Sequence, residues 1–108
     1  MRMNVSEQRI VQTCKERLSA HYGARFKGLI LYGSLARGAA GPDSDVDLLV
    51  LLDEPFNHFT ELETLVDLLH DQQLGSSRYL SLRPASVLDF QAGRIQLYRN
   101  ARREGIAV

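Results

Sequence analysis

The chain is short of several things, and each shortage narrows what it can be. It has one cysteine, Cys14, among 108 residues. No internal disulfide can form, and a reducing cytoplasm is the expected compartment. Cys14 falls with Ile10, Val11 and Leu18 at helical spacing, so a small buried residue is its expected role. The sequence lacks any apolar run of about 18 residues, so no membrane-spanning helix is expected. Its first residues, Met1-Arg2-Met3-Asn4-Val5, lack the apolar core of a signal peptide. Net charge is zero, which argues against general nucleic-acid binding by phosphate neutralisation. Cations are missing from the middle of the chain. Between Arg37 and Arg78 there is no Lys or Arg, but there are nine acids: Asp43, Asp45, Asp47, Asp53, Glu54, Glu61, Glu63, Asp67 and Asp71. Beyond Arg78 come Arg83, Arg94, Arg99, Arg102 and Arg103. Either the two regions neutralise each other, or the basic tail meets an acidic partner. No repeat, linker or low-complexity segment interrupts the chain. Its length suits one domain over residues 1–108.

What is present centres on Leu29 to Leu52. Leu29 to Tyr32 is apolar and too short for an ordinary helix, so a buried strand fits, and Phe26 to Tyr32 reads as the first strand. Gly33 and Ser34 end it. Glycine lets the backbone approach a ligand closely, and the Ser34 hydroxyl can cap a turn or donate to a phosphate. Gly38-Ala39-Ala40-Gly41-Pro42 breaks regular structure, and a second strand runs from near Asp45 to Leu52. Asp45 and Asp47 share one strand face, roughly 6.6–6.8 Å apart along the chain. Both can converge on one hard cation. Val46, Leu48, Val50 and Leu52 lie on the other face, while Leu49 and Leu51 follow the aspartates. A strand apolar on both faces is a central strand. Ser34 closes one strand and Asp45 opens the next, so they meet only if the two strands are antiparallel neighbours.

Two rival readings are weaker. Asp43 and Asp45 could simply build a turn. That leaves Asp47 unexplained, because an unpaired charge inside an apolar strand is costly. Asp43, Asp45, Asp47 and Glu54 also fall at calcium-loop positions. That loop needs glycine at its sixth position, where this chain has Leu48.

The remaining elements follow in order. Ser6 to Tyr22 reads as a helix capped by Ser6 and stopped by Gly23. Thr60-Glu61-Leu62-Glu63 has a capping-box pattern and opens a helix to about Gln73, with Leu62, Leu65, Val66, Leu68 and Leu69 inward. His58 and His70 have no metal-ligand spacing. Tyr79 to Leu82 is a short third strand closed by Pro84. Ser86 caps a short helix to about Ala92. Ile95 to Arg103 is a last helix, stopped by Gly105, and Ile106 to Val108 can add an edge strand. The order is α-β-α-β-α-β-α, an α/β (α+β) fold with a mixed sheet of three to four strands carrying helices.

Gly33-Ser34, ten residues, then Asp45-Val46-Asp47 resembles the motif of the DNA polymerase β-like nucleotidyltransferase superfamily. The wider runs G-S-L-A-R-G and D-S-D-V-D-L-L-V look like its minimal nucleotidyltransferases. The likeness in motif covers Leu31 to Leu52. Gly75-Ser76 repeats the dipeptide with no acids following, so the dipeptide alone carries little. The resemblance implies the nucleotidyltransferase fold and a Mg2+-dependent transfer of a nucleoside monophosphate, with ATP as the expected substrate. Asp45 and Asp47 then take the metal. Gly33 and Ser34 take the triphosphate tail. Arg37 is a candidate phosphate contact, or else pairs with Asp43 to shape the loop. Active members commonly carry a third carboxylate on a later strand, and Arg78 to Arg83 holds none. Asp89 is the nearest later acid, with a cap pattern that argues for a structural role. The resemblance also implies a helical HEPN-domain toxin as partner, with this chain as antitoxin. Two classes stay open: an enzyme that adenylylates its partner, and an inactive module that neutralises the partner by contact.

Overall fold

The computed structural model describes residues 3–108. Met1 and Arg2, at the start of the segment read above for a signal peptide, lie outside them. Helix α1, Val5–Tyr22, leads into strand β1, Phe26–Tyr32. A short helix α2, Gly33–Arg37, follows, and then strand β2, Val46–Leu52. Helices α3, His58–Leu68, and α4, His70–Leu74, precede strand β3, Leu80–Ser86. Helices α5, Val87–Ala92, and α6, Gln96–Glu104, precede strand β4, Ile106–Ala107.

The strands form one mixed sheet in the order β3-β2-β1-β4. β1 runs antiparallel to β2 and β4, whereas β2 and β3 are parallel. The central place of β2 explains its composition: every residue of β2 except Asp47 is buried. Val46, Leu48, Val50 and Leu52 join Leu29, Leu31 and Leu80 beneath α1, α3 and α4. From α1 this core takes Val11, Cys14, Leu18 and Tyr22. On the other face Leu49 and Leu51 pack with Ile30, Tyr32, Ala85 and the α5–α6 residues Phe90, Leu97, Tyr98 and Ala101. Two apolar faces therefore put helices on both sides of the sheet, as the sequence pattern requires.

Five local expectations need correction. Asn4, not Ser6, caps α1. Its Oδ1 accepts the Glu7 N–H at 2.8 Å, and Glu7 Oε1 accepts the Asn4 N–H at 3.0 Å. The reciprocal pair satisfies two N–H groups at the helix end, which Ser6 alone could not do. Asn57, not Thr60, caps α3, accepting the Thr60 N–H at 3.0 Å. The expected single helix to Gln73 is broken at Leu69, whose backbone leaves helical angles at φ −104° and ψ 17°. Leu65 and Leu69 are buried, but Val66 points out and is half exposed. Finally, β3 does not stop at Leu82 and Pro84 does not close it. The strand continues through Pro84 to Ser86. It is an edge strand, and a residue with no N–H is tolerated there because no further strand needs that donor.

Candidate active site

β1 delivers the chain to the site at Tyr32, which stands opposite Asp47 on β2. This is the antiparallel neighbourhood that the Gly-Ser and Asp-x-Asp spacing demands. Gly33 turns the chain with φ +77°, a region in which side chains are strained. A methyl placed on Gly33 would overlap the Asp47 carboxylate, with Asp47 Cγ at 3.1 Å. Glycine is required here for angle and for space together. α2 then turns once and ends at Gly38, in the left-handed conformation at φ 73°. The Ser34 carbonyl accepts the Ala39 N–H at 2.9 Å, closing that turn.

The loop back to β2 is held by its own bonds and by Arg78. Ser44 Oγ accepts the Gly41 N–H at 2.9 Å. Arg78 Nη1 donates to the carbonyls of Gly41 at 2.9 Å and of Ser44 at 2.7 Å. Asp45 follows, exposed, just before β2 begins. Asp47 is half-buried one residue inside the strand. Its carboxyl is held above the ordinary value by burial first and by the neighbouring Asp45 charge second. Arg37 and the nearby Ser81 hydroxyl offset part of that shift. A carboxyl whose ionisation is opposed by burial and by a neighbouring acid favours a cation beside it.

β3 places Ser81 in register with Asp47, and Arg83 with Leu49. The strand position facing the acids thus carries a hydroxyl where a carboxylate was sought. Tyr32 lies against the same corner. Its hydroxyl is pushed up by burial and then by Asp47, with Arg83 pulling the other way.

Gly33, Ser34, Asp45 and Asp47 therefore come together at one end of the β1–β2 pair. Arg37 does not pair with Asp43. Its Nη1 lies 3.6 Å from Glu104 of α6, with half of the side chain exposed. Asp53 sits at the far pole, 3.3 Å from Lys27. Asp89 serves as expected in a helix start, donating its N–H to Ser86 Oγ at 3.3 Å and pairing with Arg94 at 3.2 Å. A cleft of about 430 Å3 opens at that far pole, lined in part by Glu54, His58, Ser86 and Asp89. Within it Ser86 donates to Glu54 at 2.9 Å. Among the described residues no group of three or more His, Cys, Asp or Glu is placed to hold a metal on its own. The sequence reading missed Arg78 and its partner Glu7, since nothing in the spacing of two residues 71 apart links them.

The two-carboxylate set fits magnesium, which binds through one or two carboxylates plus substrate phosphates and keeps several waters. It does not fit a cation that needs a complete protein cage.

Comparison with known proteins agrees with this fold. A protein of Methanocaldococcus jannaschii described as "Putative protein adenylyltransferase" is 33% identical over 60 residues. That stretch is 56% of this chain and 60% of the relative, so the chain matches less than two thirds of that protein's length. A solved structure titled "Structure of putative minimal nucleotidyltransferase" superposes with a TM-score of 0.58 at 25% identity, covering 98% of this chain and 97% of that one. The family model for the nucleotidyltransferase domain matches residues 9–103, and with the fold in agreement the chain belongs to that family.

Proposed function

We propose that the chain binds ATP with a magnesium ion at Asp45, Asp47, Gly33 and Ser34 and transfers AMP to a protein acceptor. The observation that carries this is the contact of Gly33 with the Asp47 carboxylate. It puts the Gly33–Ser34 turn against the Asp47 carboxylate. The likeness to a relative described as an adenylyltransferase supports ATP and a protein acceptor.

In the reaction an acceptor oxygen attacks the α-phosphorus. The bond from that phosphorus to the bridging oxygen of the β-phosphate breaks, pyrophosphate leaves, and the acceptor's proton passes to solvent or to a base. Gly33 and Ser34 orient the triphosphate tail through backbone N–H and hydroxyl. Asp45 and Asp47 hold magnesium, which when bound neutralises phosphate charge. Arg37, half exposed beside the turn, can exchange Glu104 for a phosphate oxygen at small cost, because an exposed pair at this distance contributes little.

A second reading is favoured by one observation. Ser81 stands in register with Asp47, so the third strand offers no carboxylate to help the attacking group. A chain without that base binds nucleotide and transfers slowly, or works as a module that neutralises its partner by contact. The narrower identification of the acceptor as a helical HEPN-domain toxin, in a cytoplasmic pair, rests on the resemblance alone.

Incubation with α-labelled ATP and magnesium, alone and with co-purified proteins, tests the proposal. Label should move to a protein in wild type and not in Asp45→Ala/Asp47→Ala. Label moving equally in both would refute it.

A further inference from the structure

We propose that Arg78 is a positioning residue for Asp45, setting the loop that carries it through a fork anchored on the buried Glu7. The inference rests on the reading of Asp45 as part of a magnesium–nucleotide site.

Glu7 is 5% exposed and its side chain has two tasks. One oxygen closes the α1 capping box at Asn4. The other accepts Arg78 Nε at 2.7 Å. A buried carboxylate needs such a partner, because an unpaired charge in that position is costly. With Nε committed to α1, the planar guanidinium points Nη1 at the loop, where it takes both the Gly41 and the Ser44 carbonyl. Asp45 is then bracketed. The carbonyl before it is held by Arg78, and the N–H after it, on Val46, donates to the Tyr79 carbonyl at 2.9 Å. Both anchors belong to adjacent residues of the segment entering β3.

That segment is itself fixed. Gln73 of α4 donates to the Arg78 carbonyl at 3.2 Å and accepts the Leu80 N–H at 2.7 Å. Ser76 Oγ accepts the Arg78 N–H at 3.2 Å. The direction of Asp45 is therefore set by α1, α4 and β3 together, although the Gly38–Ser44 loop is rich in glycine and exposed. Lysine cannot copy this. One ammonium is a point charge and lacks the rigid fork that reaches a carboxylate and two carbonyls in different directions.

The test compares wild type with Arg78→Lys and Glu7→Gln. Arg78→Lys keeps a counter-charge for Glu7, and Glu7→Gln keeps the cap acceptor and an oxygen for Arg78 Nε while removing the counter-charge of Arg78, so either can fold if the other fails. Two quantities are read: hydrogen exchange at the amides of residues 39–46, and the dissociation constant for magnesium-ATP. The expected result in Arg78→Lys is faster exchange confined to those amides and about 10–100-fold weaker magnesium-ATP binding, the usual loss when an outer partner of a ligand is removed. Glu7→Gln should show the same pattern more weakly, because Arg78 loses its anchor but keeps its fork. Unchanged loop exchange in the folded variants, or full rescue by lysine, would overturn the inference. Failure of wild type itself to bind magnesium-ATP would refute the functional reading instead, and loop exchange would still decide whether Arg78 sets the loop.

Discussion

At the residue scale, the site depends on which atoms are absent as much as on which are present. Gly33 has no Cβ, and the Asp47 carboxylate occupies the space a Cβ would fill. Gly33→Ala should therefore cost about 1–2 kcal/mol for the left-handed backbone alone. It should also displace Asp47 and remove most magnesium-dependent nucleotide binding. Melting and calorimetry on one sample check this. A stability loss with unchanged binding would mean that the contact is only structural. Ser81 is the other informative absence. Ser81→Asp supplies a carboxylate in register with Asp47. Transfer should rise toward the 10²–10⁴-fold that a positioned base contributes. Metal-free stability should fall, because a third acid joins two already crowded ones, and magnesium should restore it. No gain in transfer would show that the base comes from elsewhere. These residues were legible in the sequence because a short motif lies on adjacent ends of two strands. Arg78 was not, because its bonds join segments far apart in the chain.

At the scale of elements, periodicity revealed those with a decisive pattern. β2 reads as central because both of its faces are apolar, and it is buried throughout apart from Asp47. β3 was misread at Pro84, because a sequence does not state which strand lies at the edge, and only there is proline harmless. The break at Leu69 left no mark in the sequence, since leucines continue on both sides of it. The caps were half legible. Asn4-x-x-Glu7 is a capping pattern two residues ahead of Ser6. Within α1, Cys14 is fully buried, and burial pushes its thiol up to about 11. The thiol is neutral in the folded chain and ionises earlier in the unfolded one. Its contribution to stability is complete below the ordinary thiol value near 9 and is lost as pH rises to about 11. At about 1.4 kcal/mol per unit the loss is on the order of 3 kcal/mol. Tyr22, which donates to Glu61 at 2.8 Å, is also pushed up, by burial first. The Cys14 share is therefore read as the difference in pH dependence between wild type and Cys14→Ala. Equal slopes between pH 9 and 11 would contradict it.

At the scale of the molecule, the arginines of α6 and the acids of α3 lie on helices that pack on opposite faces of the sheet. α6 carries Arg99, Arg102 and Arg103, while Glu61, Glu63, Asp67 and Asp71 lie on α3 and α4. The structure divides the arginines by task. Arg99 donates to the Gly93 carbonyl at 2.8 Å, which ties α6 to the end of α5. Arg102 and Arg103 are exposed, with Arg103 reaching only its neighbours Asn100 and Glu104. Replacing Arg102 and Arg103 by Ser should leave the melting temperature within a few degrees, as surface changes usually shift stability by about 0.5 kcal/mol or less. If α6 docks the acceptor, co-purification of the labelled protein should fall. Retained co-purification would place the docking surface elsewhere.

The central claim is that Asp45 and Asp47 hold magnesium and nucleotide together. It is tested most directly by calorimetric titration of ATP, with and without magnesium, into wild type and Asp45→Ala/Asp47→Ala. Binding to wild type should need magnesium and be lost in the variant. Equal magnesium-dependent binding to both proteins would contradict it.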